Sequence, residues 1–133
     1  MTTTRTLGML RAVALVALGG AAAGATAGAY EDCMTRGAQP AVMQCLLNEE
    51  RDAATELAGA EAAVAQKARS VEQATGKPGI HAALAKSVRD FAAYRASQCG
   101  FVRELAAREP VGEQAQIACR VDLTRRRVRE LKP

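Results

Sequence analysis

After Pro40, as far as Thr75, the chain contains no proline and one glycine, Gly59, while Leu47, Ala54, Leu57, Glu61, Val64, Ala68 and Val71 recur at steps of three, four and seven. That spacing predicts one long amphipathic helix with a narrow, alanine-rich seam, opened by Pro40 in its first turn. Tyr30 to Gln39 reads as a short lead-in containing Gly37. Gly76-Lys77-Pro78-Gly79 is the strongest turn signal in the sequence. A second helix is predicted from about Ile80 to Arg108, with Ile80, Leu84, Val88, Phe91, Arg95, Cys99, Val102 and Ala106 along one face, and Pro110 and Gly112 end it. A third is predicted from about Glu113 to Leu131, where Ile117, Val121, Thr124, Val128 and Leu131 keep helical spacing. No stretch alternates with period two for long enough to form a strand. The fold class is therefore all-α, an antiparallel three-helix arrangement of two long helices and a shorter C-terminal one.

The first 29 residues have a different character. Arg5 and Arg11 come without acidic neighbours, Ala12 to Ala23 is a run of small and apolar residues, and Ala27-Gly28-Ala29 offers small side chains for a signal peptidase. Cleavage is expected before Tyr30, which places the mature domain at residues 30–133 in the periplasm or outside the cell. The apolar run falls short of the roughly 20 residues that span a bilayer. Cleavage changes the electrostatic picture, because the remaining 104 residues hold 16 Lys and Arg against 14 Asp and Glu, a net charge of +2. Only 21 of them are Leu, Ile, Val, Met or Phe, so alanine must fill many of the contacts between helices. A small domain with so thin a core needs covalent support.

Four cysteines, Cys33, Cys45, Cys99 and Cys119, can supply it. An even number in an exported chain reads as two disulfides, and the C-x-x-C spacing of a zinc or redox site is absent. Cys99 lies eleven residues before Pro110 and Cys119 nine after it, so an antiparallel hairpin sets them at matching heights. Cys33 then pairs with Cys45. Pairing Cys45 with Cys99 would leave a mismatch of about 15 Å along the helices.

The same geometry bears on the one charge in the long seam. Arg95 is 18 residues past Lys77 and Glu61 is 16 before it, which brings the two to similar heights and predicts a structural ion pair. No other group at that level could share catalytic work with them. The only histidine, His81, stands at a helix start, and with the thiols paired no nucleophile is available to it. The chain reads as a non-enzyme with no metal or cofactor. Met34 and Met43, beside the first two cysteines, are read as packing rather than as copper ligands. The run Arg120, Arg125, Arg126, Arg127, Arg129 and Lys132 is interrupted by Asp122 and Glu130 and has no interleaved aromatics. It is read as a solvated face near a helix C-terminus and not as a nucleic-acid site.

Tyr30-Glu31-Asp32-Cys33, Cys45, Phe91 with Tyr94-Arg95 and Cys99, and Cys119 with Leu123-Thr124, Arg127 and Leu131 together resemble the LprI-like lysozyme-inhibitor family of exported bacterial proteins. The likeness covers nearly all of residues 30–131. It departs where the family has D-x-x-L-N-x-x-Y, here Ala54, Leu57, Ala58 and Glu61, and where a tryptophan and a glutamine are replaced by Phe91 and Val88. The resemblance implies a binding protein whose partner is a lysozyme or another envelope protein; the alternative is a non-inhibitory envelope scaffold that touches cell wall or anionic lipid through its last helix. Lysozymes of the animal type are basic proteins with an acidic cleft, so an inhibitor is expected to meet them with matched potentials. The expected contact surface is the acidic stretch Glu49, Glu50, Asp52 and Glu56, or the turn at Lys77 entering the cleft, with the basic last helix facing away. The oligomeric state is not legible.

Overall fold

The computed structural model describes residues 28–38, 41–106 and 108–132. Four helices occupy them in chain order: α1 (Ala29–Arg36), α2 (Ala41–Thr75), α3 (Ile80–Ala106) and α4 (Val111–Leu131). The described residues include no strand. The leader expected over residues 1–29 lies outside the described residues apart from Gly28 and Ala29, and so does Pro40, expected to open the long helix. No helix among the described residues is long and apolar enough to cross a membrane.

The count of helices is four rather than three, because the segment read as a lead-in is itself helical. Its sequence explains why. Glu31 and Asp32 fill the first turn of α1, Arg36 stands in the last, and Gly37 follows, so charges oppose the helix dipole at both ends. Eight residues are too few to hold a helix alone. Burial of Ala29 and Cys33 and the Cys33–Cys45 bridge to α2 make up the deficit. The second bridge joins Cys99 to Cys119, with Cα atoms 5.5 Å apart, so both pairings are those predicted from helix heights.

The arrangement of the long helices also differs from the expected one. Helix α4 is not a short addition to an α2–α3 pair; it lies between them, and each packs more extensively on α4 than on the other. Its buried residues, Gly112, Gln114, Ile117, Ala118, Val121, Thr124 and Val128, recur mostly at steps of three and four and are small or branched at most positions. Neighbouring helices can therefore approach it closely. A Cβ at Gly112 would stand 3.2 Å from the carbonyl oxygen of Arg103, so a side chain there would need the end of α3 to give by a few tenths of an ångström. The main core gathers at this end, where Ala29 and Cys33 of α1, Val42, Leu46 and Ala53 of α2, and Ile117, Ala118 and Val121 of α4 form one cluster. Met43 packs against it, whereas Met34 is exposed.

The seam of α2 is rotated from the predicted one at its N-terminal end. The buried residues are Val42, Leu46, Ala53, Leu57 and Ala68, while Leu47 and Val71 stand 44% and 38% exposed and Ala54 faces solvent. One residue is about 100° of helix rotation. Val42 and Leu46 turn inward onto the α1 and α4 residues of the core cluster, beside the Cys45 bridge to α1, along a second stripe of helical spacing one residue away from the predicted one. Replacing Leu46 with alanine is therefore expected to cost about 2–5 kcal/mol. The same change at Leu47 should stay within about 0.5 kcal/mol. Urea unfolding of the two oxidised variants measures both; equal costs, or a larger cost at Leu47, would return the seam to its predicted register.

Candidate functional site

The acidic stretch of α2 and the basic run of α4 meet each other. Glu49 accepts from Arg36 Nη1 at 2.7 Å and from Arg125 Nη2, so one carboxylate joins α1, α2 and α4. Glu50 receives a two-point contact from Arg120, through Nε and through Nη2 at 3.2 Å. The hydrogen bond from Arg36 does most to hold the Glu49 carboxyl below its usual range, with Arg125 adding to it against the cost of partial burial. Glu49 and Glu50, two of the four residues expected to face a partner, are thereby neutralised within the fold. Asp52, with Arg51 3.9 Å away, and Glu56 remain exposed. The last helix does not face away from the acidic stretch; Arg120 and Arg125 turn toward it. Arg126 pairs with Glu130 at 3.1 Å, and Arg127 donates to Ser87 on α3 at 2.7 Å. Most of the cations in the basic run are thus spent on this chain.

The residues of the resemblance converge on the α3–α4 contact. Arg95 donates to Thr124 Oγ1 at 2.8 Å, and its guanidinium carbon is 5.5 Å from the centre of the Phe91 ring. Arg127 approaches the same ring at 5.6 Å. Phe91 therefore supplies a π-face to two cations, and Thr124 gives one of them a hydroxyl acceptor inside the seam. Tyr94 is half exposed, at 52%, and with Leu123 borders a small cleft above this cluster, while Leu131 closes the helix near α2. The predicted Glu61–Arg95 ion pair does not form. The face of α3 that carries Arg95 looks at α4, so Thr124 reaches it first. Glu61 instead lines a shallow groove between α2 and α3 with Ala62, Ala65, His81, Leu84 and Val88.

Beyond the end of α4 two helices, α2 and α3, continue among the described residues. Leu131 and Lys132 border α2 at Ala60, Ala63, Val64 and Lys67, and Thr75 is eight residues further, about 12 Å of helix. The α2–α3 hairpin therefore projects past the rest of the molecule and ends in the turn 76–79. Its backbone is held in place: Gly76 and Gly79 take φ of 66° and 95°, which favours glycine. The Lys77 amide donates to Thr75 Oγ1 at 3.3 Å, and the His81 amide donates to the Glu72 carboxylate at 2.9 Å, which caps the start of α3. Arg69, which can only donate, bonds His81 Nε2 at 3.2 Å. Residues 69–86 hold Arg69, Lys77 and Lys86 against Glu72, a net charge of +2, with Lys77 exposed at the apex.

Sequence reasoning named Lys77 and every residue of the Phe91 cluster except Ser87, and it missed the partners of Glu49 and Glu50. A signal was present. Over residues 30–133, where the net charge is +2, an acidic run on one helix and a basic run on another are natural complements. Compared with known proteins, residues 29–131 match the model of the family described as lysozyme inhibitor LprI. No curated protein and no solved structure matches the chain.

The Glu49 junction fixes a pH dependence. Its folded-state pKa is depressed, so its contribution is present above the unfolded value of about 4.3 and is lost as pH falls through the lower folded value. Glu49→Gln should therefore lower stability near neutrality and flatten its decline below about pH 4, whereas Asp52→Asn should do neither. Urea midpoints from pH 2 to 7 measure this, and parallel curves for wild type and Glu49→Gln would remove the junction from the account. A double-mutant cycle should likewise find coupling between Arg95 and Thr124 and none between Arg95 and Glu61.

Proposed function

We propose that this chain, which belongs to the lysozyme inhibitor LprI family, is an exported protein that acts by binding, and that the projecting α2–α3 hairpin is the surface that enters a lysozyme cleft. The two disulfides suit an oxidising compartment, in keeping with the leader read from the sequence. The observation that carries the choice of surface is the preformed, cationic tip. Lysozymes hydrolyse their substrate with two carboxyl groups in a cleft, so a cation presented on a narrow projection is matched to that cleft in both shape and charge. The alternative contact, the acidic stretch of α2, has lost half its charge to Arg36, Arg120 and Arg125. A tip already held by Thr75, Glu72 and two glycines loses little freedom on docking.

A second reading has its own observation. Tyr94, Phe101 and Leu105 stand 52%, 57% and 67% exposed on α3 at spacings of seven and four, an apolar stripe that suits a different protein partner. The scaffold reading through the last helix is weaker, because most of that helix's cations already have partners on this chain.

Lysis of a Gram-positive wall by an animal-type lysozyme, with the oxidised protein in molar excess at low and physiological salt, separates these readings. Inhibition is expected, and Lys77→Glu should raise the concentration needed for half inhibition at least tenfold, about 1.4 kcal/mol of binding. Asp52→Asn with Glu56→Gln should change it less than twofold. An unchanged lysis rate at both salts would end the inhibitor reading. Inhibition that survives Lys77→Glu and is lost in Phe101→Ser would move the contact to the α3 stripe.

A further inference from the structure

The start of α1 bears on where the mature chain begins. Ala29 is 1% exposed and belongs to the main core cluster. Its amide donates to Asp122 Oδ1 on α4 at 3.0 Å, which ties the first residue of the helix to the central one. The carbonyl of Gly28 accepts the Asp32 amide at 3.0 Å and so closes the first hydrogen-bonded turn of α1. Removing Gly28 and Ala29, as cleavage before Tyr30 would, deletes a buried methyl group and the acceptor of that first turn. It also deletes the donor of a partly buried carboxylate. An eight-residue helix has little margin for these losses.

Two residues upstream the sequence offers another site. Ala25-Thr26-Ala27 places small side chains at the two positions that signal peptidase reads, and Gly28 would then be the first residue. Gly28 sits in a close setting, since a Cβ there would stand 2.8 Å from Glu31 Oε2 and 3.0 Å from Asp122 Oδ2. The Cα of Gly28 is one bond from that point, so both carboxylates flank the residue that would carry the new terminus. Burial raises the Asp122 carboxyl above its usual range, the Ala29 amide and Arg125 act against that, and Glu31 and Asp32 add to it. An α-ammonium at Gly28 would stand among three carboxylates, Glu31, Asp32 and Asp122, with Arg125 as the neighbouring cation. Arg125 is itself directed at Glu49.

We infer that the leader is removed between Ala27 and Gly28, and that the new α-ammonium of Gly28 docks against Asp122 and Glu31. The inference rests on the export reading of the sequence and is independent of which partner the protein binds. The peptide bond between the two residues is hydrolysed, water supplying the carboxylate of the leader and the ammonium of the mature chain.

Export of the full chain with its own leader, followed by N-terminal sequencing and intact mass of the oxidised product, tests the position. A product that begins at Gly28 is expected. A product that begins at Ala29 or Tyr30 overturns the position and leaves export intact, whereas a chain that keeps its leader overturns export and this inference together. For the docked ammonium, the α-amine of the product is titrated by NMR in wild type and in Asp122→Asn, a near-isosteric change that keeps an acceptor for Ala29. It should titrate above the ordinary range of about 7.7–8.0 in wild type and fall toward that range in the variant. Equal values in the two proteins overturn the docking.

Discussion

Helix α4 can occupy the centre of this protein because its neighbours pair most of its partly buried charge, although Arg127 Nε is left buried without a hydrogen-bond partner. A helix with Arg120, Arg125 and Arg127 only partly exposed would be a poor core element if those cations had to reach water. Glu49 and Glu50 on α2, and Ser87 with the Phe91 ring on α3, provide the partners, so α4 is gripped from both sides by polar contacts as well as by Ile117, Val121 and Val128. Few large apolar residues are available to do this by hydrophobic burial alone. The two disulfides complete the arrangement, one fastening α1 to α2 and the other α3 to α4. Each closes a short loop worth about 3 kcal/mol in the chain-entropy model, comparable with a whole buried side chain.

What could be read in the sequence was local or covalent. Helix bodies followed from apolar spacing, and both disulfides followed from counting residues on either side of a turn, because rise per residue is a constant of the helix. Rotation about the helix axis was less accessible. Leu46 and Leu47 are adjacent and chemically identical, and the packing of α2 against α1 and α4 decides which one is buried. Arg95 shows the same limit. Glu61 lies beside Leu84 and Val88, nearer the turn than equal counting from Lys77 placed it, and the face of α3 that carries Arg95 meets Thr124 of α4. The eight residues of α1 escaped notice because periodicity needs more than two turns to register, although Glu31, Asp32 and Arg36 mark its ends by charge.

The Phe91, Arg95, Thr124 and Arg127 cluster gives a physical reason why a chain can belong to the family without inheriting any particular contact. These residues are spent on joining α3 to α4. Phe91 in place of tryptophan still offers a π-face to both guanidinium groups. Glu61, where the family has a tyrosine, lies in the α2–α3 groove away from that cluster, so its polarity is tolerated at a half-buried site.

The two ends of the molecule consequently answer to different constraints. At the disulfide end, α1, α2 and α4 share a core in which Val42, Leu46 and Val121 are fully buried, so a change at any of them is felt by several helices, and α3 is bridged to α4 there through the buried Cys99. At the other end α2 and α3 run on as a pair, with Ala68 the last buried residue of α2 before the turn. Substitution near Lys77 therefore meets little resistance from packing. What keeps that end in one shape is local: two glycines with positive φ, a threonine hydroxyl on the Lys77 amide, and a glutamate on the His81 amide. A surface that is ordered by its own short-range bonds can change its side chains without disturbing the core.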